Sequence, residues 1–240
     1  MHRRQLLFFT LLLPALAGAG ESEVRATVER LAPGTAVERL SPSALPHFYD
    51  VVIGGDLVFV SEDGRYIVQG PVFDTVEKAD LAEVSLAPLR AEVLARVNAT
   101  DLITFHPDQV AHRIWVFTDT ECGYCRKLHA HMDALLAKGI EVNYVLFPRA
   151  GVGSTSYDTA VSVYCSDSRQ RMLTEAKAGE AIPTSTCVNP VADFLSLGRS
   201  MGVTGTPAIY TEGGRQLGGY LEPEKLLARL QATEPSHARP

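Results

Sequence analysis

The chain has 240 residues, more than one typical domain, and is 46% hydrophobic and 21% charged, so it holds enough apolar material for one large core or two unequal ones. That balance excludes a disordered chain, and a formal net charge of -6 excludes nucleic acid or anionic lipid as partners held by bulk charge.

The only long apolar run, Leu6 to Leu16, follows His2, Arg3 and Arg4 and precedes the small residues Ala15, Ala17, Gly18 and Ala19. It is too short to span a bilayer and reads as a secretory signal peptide over 1–19, with cleavage favoured after Ala19; Arg3-Arg4 is a weaker hint of the twin-arginine route. Removing it takes two arginines and no acids, which leaves the mature chain more acidic. Export to an oxidising compartment, with no membrane insertion after cleavage, permits disulfides among the four cysteines.

Residues 22–31 predict a short helix with Ser22 as N-cap and Val24, Val28 and Leu31 on one face, stopped by Pro33-Gly34. Strands follow at Ala36 to Leu40, Phe48 to Ile53, Leu57 to Val60 and Tyr66 to Gln69, separated by proline, glycine and aspartate clusters that punctuate antiparallel hairpins. Pro71 marks an edge, because it has no N–H to give a ladder. Val76 to Val97 carries a helical pattern of leucine and valine broken once by Pro88 and reads as a linker helix. A module of residues 22–75 is too small to bury much core by itself, which favours docking or self-association.

Beyond Asp101, the strand His112 to Thr118, the helix Arg126 to Lys138 and the strand Ile140 to Phe147 form a βαβ unit. Cys122 and Cys125 in ECGYC therefore sit where strand turns into helix, Cys122 at or near the N-cap and Cys125 a turn inside. Unpaired N–H groups and the positive end of the helix dipole favour a thiolate at that position, which makes Cys122 the nucleophile. Cys125, on the same face but deeper, is placed to attack a mixed disulfide at Cys122 and resolve it. A zinc site is the alternative use of a CxxC. Its usual partner is a second CxxC or a histidine pair, whereas Cys165 and Cys187 are far apart and His129 and His131 share the helix of Cys125, so no metal is expected. Local pairing joins Cys165 to Cys187 as a structural disulfide. Farther on, Gly202 to Tyr210 sets Thr206-Pro207 before an apolar strand, Ala208 to Tyr210, which forms a hairpin with Gln216 to Tyr220 ahead of a helix, Pro223 to Leu230.

FTDTECGYCRKLH at Phe117 to His129, GVTGTPA at Gly202 to Ala208, EDGRYIVQGPVFD at Glu62 to Asp74 and FPRAG at Phe147 to Gly151 together resemble the thioredoxin superfamily and, within it, the DsbC/DsbG family of periplasmic disulfide isomerases. The resemblance covers nearly the whole mature chain. It implies an α+β protein: a small N-terminal α+β dimerisation domain at 20–75, a linker helix at 76–100, a C-terminal thioredoxin-like domain with a helical insertion at 101–232, and a flexible tail at 233–240. It further implies a periplasmic V-shaped homodimer whose two arms face an apolar cleft and hold misoxidised secreted proteins, with chaperone-like binding there. A DsbD-like membrane reductase keeps such dithiols reduced. Pro207 is then cis and lies against the dithiol, Thr206 contacts substrate backbone, and Gly123 and Tyr124 complete the substrate-binding surface; no cofactor is implied. Gly70, at the end of an edge strand, is placed at the dimer interface. Gly123-Tyr124 departs from the Pro-Tyr of DsbG-like relatives, the runner-up within the family. A non-catalytic periplasmic chaperone is the reading from a different class.

Overall fold

The protein is described here by a computed structural model covering residues 19–233; the signal peptide expected over 1–19, apart from Ala19, and the tail expected over 233–240, apart from Thr233, lie outside the described residues. The fold is α+β, and the chain separates into two compact units, the first built on residues 19–53 and 58–69 and the second on residues 54–57 and 70–233.

In the first unit, helix α1 (Ala19–Leu31) precedes a sheet of four strands, β1 (Arg39–Pro42), β2 (Phe48–Ile53), β3 (Asp56–Ser61) and β4 (Ile67–Gln69), in sequential order. The helix starts three residues earlier than the sequence predicts. Ser22 lies inside it, and Glu21 occupies the first turn, where the helix dipole favours an acid. Strand β1 begins at Arg39, later than expected, because its register pairs Arg39 with Val52 and Pro42 with Tyr49. Val24 and Val28 of α1 pack on Val51 and Val60 in a small core, and the Thr27 hydroxyl donates to the Gly64 carbonyl at 3.3 Å, tying the helix to the β3–β4 turn. Among the described residues no strand lies beside the outer edge of β4, and Tyr66 and Ile67 leave their side chains exposed there.

The second unit opens with a two-residue ribbon, β5 (Phe73–Asp74) and β6 (Ala79–Asp80), absent from the sequence reading. Asp74 accepts the N–H groups of Val76 and Glu77, which folds Val76 to Lys78 into the ribbon's turn instead of a helix. Helix α2 (Leu81–Leu94) therefore starts at Asp80, whose carboxylate caps it through Ala82 N–H. It runs through Pro88 rather than breaking there. Leu81, Leu86, Ala87, Arg90 and Leu94 are buried along it, and the Arg90–Glu83 ion pair at 2.7 Å spans the turn that lacks the proline N–H. Glu83 also accepts Gln216 N–H, and the Arg90 guanidinium lies over the Tyr210 ring, so α2 is part of this unit's packing.

Five strands form the central sheet in the order β11 (Gln216–Gly218), β10 (Ala208–Thr211), β8 (His112–Thr118), β9 (Ile140–Leu146), β7 (Ile103–Phe105). Only β8 and β9 run parallel, joined by α3 (Gly123–Ala130) and α4 (Met132–Leu136) as a crossover; the other pairs are antiparallel. Every residue of β9 is buried, as befits a strand covered on both faces. The helix expected over Arg126 to Lys138 is two helices meeting at His131, a break that nothing in the sequence marks. An insertion of α5 (Thr155–Tyr164), α6 (Arg169–Ala178) and α7 (Val191–Ser200) separates β9 from β10, and α8 (Pro223–Thr233) closes the unit. Cys165, at the end of α5, is disulfide-bonded to Cys187 with Cα atoms 5.6 Å apart, so the bond closes the loop that carries all of α6.

Candidate active site

Strand β8 ends at Thr118 and delivers the chain through Asp119, Thr120 and Glu121 to α3. The turn is set by Asp119, whose carboxylate accepts Glu121 N–H at 2.9 Å and pairs with Arg149 through that residue's Nε at 3.0 Å and main-chain N–H at 3.1 Å. Asp119 is nearly fully buried, so the Arg149 ion pair also stabilises its charge away from water. Cys122 is the N-cap of α3, in extended conformation, and Cys125 is the third helical residue. Both thiols are free and buried.

Opposite them, the Thr206–Pro207 peptide bond is cis. The Cys122 thiol donates to the Thr206 carbonyl at 3.1 Å, and the buried Thr206 hydroxyl, with no other partner, is available to both sulfurs. The two cysteines then diverge. Burial pushes the Cys122 thiol up, but hydrogen bonding by Thr206, by the main chain and thiol of Cys125, and the positive charge of Arg149 outweigh it, holding Cys122 below the ordinary thiol value. Cys125 is fully enclosed, and burial raises it despite the opposing influence of Lys177, Asp119, Thr118 and Thr206. One thiol is poised to ionise and the other is held protonated, the asymmetry a nucleophile and a follower require.

Around the cysteines, Tyr124 is 65% exposed and stacks on Tyr220 with ring centroids 6.1 Å apart. Lys127 sits over the same Tyr220 ring and pairs with Glu222, and His131 stacks against Tyr220 from its other neighbourhood. His129 is buried instead, with its ring nitrogens on the Tyr144 and Thr174 hydroxyls, and burial followed by the nearby Lys177 charge lowers it to about 4, so it is neutral. Gly123 is open, with nothing near the position a side chain would take.

The structure thus brings Cys122, Gly123, Tyr124, Cys125, Thr206 and Pro207 to one site, while the Cys165–Cys187 bond lies in the helical insertion. Gly70 lies elsewhere, just past β4, with φ +121 and open space around it, so its conformation itself favours glycine. Asp119, Arg149 and Lys177 belong to the site and went unassigned in the sequence. Arg149 could have been found in FPRAG, at the end of the strand parallel to β8, but Lys177 lies on a surface-like helix, with no local signal of its depth.

A CxxC at the helix start after a central strand, facing a cis-proline loop, defines a thioredoxin-fold dithiol oxidoreductase. Residues 100–234 match the family described as thioredoxin-like domain, and residues 15–83 match the disulfide bond isomerase protein N-terminal domain. The chain is 31% identical over 229 residues to the thiol:disulfide interchange protein DsbC of Salmonella typhimurium, covering 95% of each chain, and 32% identical over 238 residues to that of Dickeya dadantii, covering 98% of each. It belongs to the DsbC family of thiol:disulfide interchange proteins and is a disulfide isomerase. A disulfide interchange protein from Neisseria gonorrhoeae is similar in fold, with a TM-score of 0.50 and 24% identity over 56% of this chain and 99% of that one.

Proposed function

We propose that Cys122 is the attacking thiolate and Cys125 the resolving thiol of a periplasmic isomerase that rearranges non-native disulfides in secreted proteins. The observation that carries this reading is the placement of the two thiols at one helix start, Cys122 at the N-cap against the cis-proline loop and Cys125 fully buried a turn inside, which lowers the first thiol and raises the second. Cys122 attacks one sulfur of a substrate disulfide, forming a mixed disulfide and releasing the other substrate sulfur as a thiolate. A second substrate thiolate then attacks within the held chain, completing isomerisation, or Cys125 attacks Cys122 and releases a reduced substrate. Thr206, Pro207, Gly123 and Tyr124 form the surface against which the substrate backbone lies, since the Thr206 carbonyl of the cis-proline loop is 3.1 Å from the Cys122 sulfur and Gly123 and Tyr124 open the helix beside it.

The N-terminal domain at 20–75 serves as the dimerisation domain, with residues 76–100 linking it to the catalytic domain at 101–232. The unpaired β4 edge with its exposed Tyr66 and Ile67, ending at Gly70, supports self-pairing across a two-fold axis. A homodimer holds a misoxidised protein between two arms, with chaperone-like binding, and a DsbD-like membrane reductase returns the dithiol to its reduced state. The apolar leader at residues 6–16 supports delivery to the periplasm, and no described helix is long and apolar enough to cross a membrane. The test is refolding of scrambled ribonuclease with and without Cys122→Ser, together with thiol trapping in cells. Isomerase activity that persists without Cys122, or a dithiol found mostly oxidised in cells, overturns the reading.

A further inference from the structure

Lys177 of α6 is buried beneath the dithiol, only 4% exposed. Its ammonium group donates to the Thr118 hydroxyl at 2.7 Å and lies 5.4 Å from the centre of the Tyr144 ring. Thr118, the last residue of β8, lies beside the Cys125 thiol, and its hydroxyl favours the ionised form of that sulfur. A buried cation whose hydrogen bond goes to a hydroxyl is expensive to keep, and the thiol exchange described above does not use it.

We propose that Lys177, acting through the Thr118 hydroxyl, accepts the proton of Cys125 in the step that releases substrate. This rests on Cys125 being the resolving thiol. In that step the Cys125 proton passes to the Thr118 oxygen while the Thr118 proton passes to the neutral Lys177 amine. The Cys125 thiolate attacks the Cys122 sulfur, the Cys122–Cys125 bond forms, the Cys122–substrate bond breaks, and the electron pair leaves with the substrate sulfur. Substrate is reduced and the enzyme dithiol is oxidised. The lysine donates to the Thr118 oxygen, which leaves the threonine proton free to face sulfur, so the contact that the transfer needs is already in place.

The surroundings supply the timing. Burial lowers Lys177 to about 8, the negative charges of Cys125, Cys122 and Asp119 oppose that, and Arg126 assists it; His129, on the same side, is neutral. Once Cys122 is tied up in a mixed disulfide its charge is gone, so Lys177 gives up its proton more readily when Cys125 must lose one. A cleft of about 390 Å³, lined by Lys177, Arg126, His129, Thr174 and Phe105 among others, gives the proton a way out to solvent.

Reaction of the reduced protein with one equivalent of dithiobis(nitrobenzoate) separates the steps, because attack by Cys122 releases one coloured thiolate and resolution by Cys125 releases the second. In stopped flow from pH 6 to 10, the second phase of the wild type is expected to rise and level off near 8, the value to which Lys177 is lowered. In Lys177→Met it should be ~10-fold or more slower at neutral pH and keep climbing until it meets the wild type at high pH. Thr118→Val, which keeps the lysine and the shape, should shift the profile the same way, and it decides the matter if Lys177→Met does not fold. Profiles unchanged from wild type, or slowed equally at every pH, overturn the relay. Cys125→Ala is the separate control: a second phase surviving there overturns the resolving role itself, whereas its loss alongside unchanged Lys177→Met and Thr118→Val profiles overturns the relay alone.

Discussion

The Cys122 thiol rests 3.1 Å from the Thr206 carbonyl oxygen, although 84 residues separate the two in the chain. A thiol can donate to that oxygen but a thiolate cannot, so ionisation breaks the contact and turns the sulfur towards the Cys125 N–H and the Thr206 hydroxyl. The carbonyl is then free to accept an N–H, which on the reading proposed above is that of an incoming substrate chain. On that reading, nucleophile activation and exposure of a substrate-binding group are a single event.

Removing the Thr206 hydroxyl should weaken the thiolate. Thr206→Val is expected to move the alkylation profile of Cys122 to higher pH, slowing iodoacetamide labelling at neutral pH while leaving the rate at high pH unchanged. Labelling measured in a Cys125→Ala background isolates the one sulfur. A profile that stays in place would assign the lowered value to the helix start and Arg149 alone.

The two thiols should fail differently. Cys122→Ser is expected to abolish both reduction and isomerisation, since no other described thiol can make the first attack. Cys125→Ser should instead accumulate long-lived mixed disulfides with substrates, visible on non-reducing gels, because the escape route is gone. Absence of such adducts counts against the division of roles.

Lys177 carries a stability consequence opposite in sign to its proposed use. Its value is lowered from 10.5 to about 8 on folding, so the wild type is penalised for the buried cation, in full below pH 8, and the penalty fades as pH rises towards 10.5. Lys177→Met should therefore be more stable than wild type at pH 7, on the order of 2 kcal/mol, with the gain vanishing above the lysine's ordinary value. Urea denaturation of the reduced proteins at pH 7 and pH 10.5 measures the difference. A variant less stable at neutral pH would mean that the Thr118 hydrogen bond outweighs the burial of charge.

Much of this site was legible because its chemistry is local in sequence. The apolar runs at His112 to Thr118 and Ile140 to Phe147 are buried most readily as neighbouring strands, and that alone puts Cys122 and Cys125 at a helix start. Pieces of two or three residues, such as β5, β6 and β7, carry too few positions to show a period. Pro88 predicts a break, yet the helix continues, since burial of Leu86, Ala87, Arg90 and Leu94 along α2 outweighs one lost hydrogen bond. Lys177 was hidden for a different reason. Its helix is highly polar overall, and only the tertiary packing of α6 against α3 and β7 turns that position inward.

The Cys165–Cys187 bond predicts a stability effect without a chemical one. It closes a loop of 22 residues containing α6, so replacing both cysteines by alanine should lower stability by about 2–5 kcal/mol, as loss of a structural disulfide typically does. The folded double variant should still reduce insulin, because both sulfurs are bonded to each other within the helical insertion and leave Cys122 and Cys125 as the free thiols. A natively stable but inactive variant would make this bond part of the reaction.

The final prediction concerns Gly70, where the exposed β4 edge stops. The residue has φ +121, so any side chain strains the backbone, and a Cβ there would meet nothing within 4 Å of the same chain. Gly70→Arg therefore does two things: it strains the turn, and it places two cations and two long side chains against each other if β4 pairs with its symmetry mate. Gly70→Ala separates them, since it carries the same strain without the bulk or the charge. Gly70→Arg is expected to sediment as a folded monomer, to keep simple insulin reduction, which needs only Cys122, Cys125 and the Pro207 loop, and to lose most isomerase activity, which needs a misfolded chain held between two arms. Gly70→Ala should remain a dimer of slightly lower stability. If the proposed partner arm shields the dithiol from an oxidant, thiol trapping in cells should find the Gly70→Arg dithiol shifted towards the disulfide. A Gly70→Arg protein that stays a tight dimer with full isomerase activity removes this edge from the interface, whereas monomers of both variants assign the effect to backbone strain.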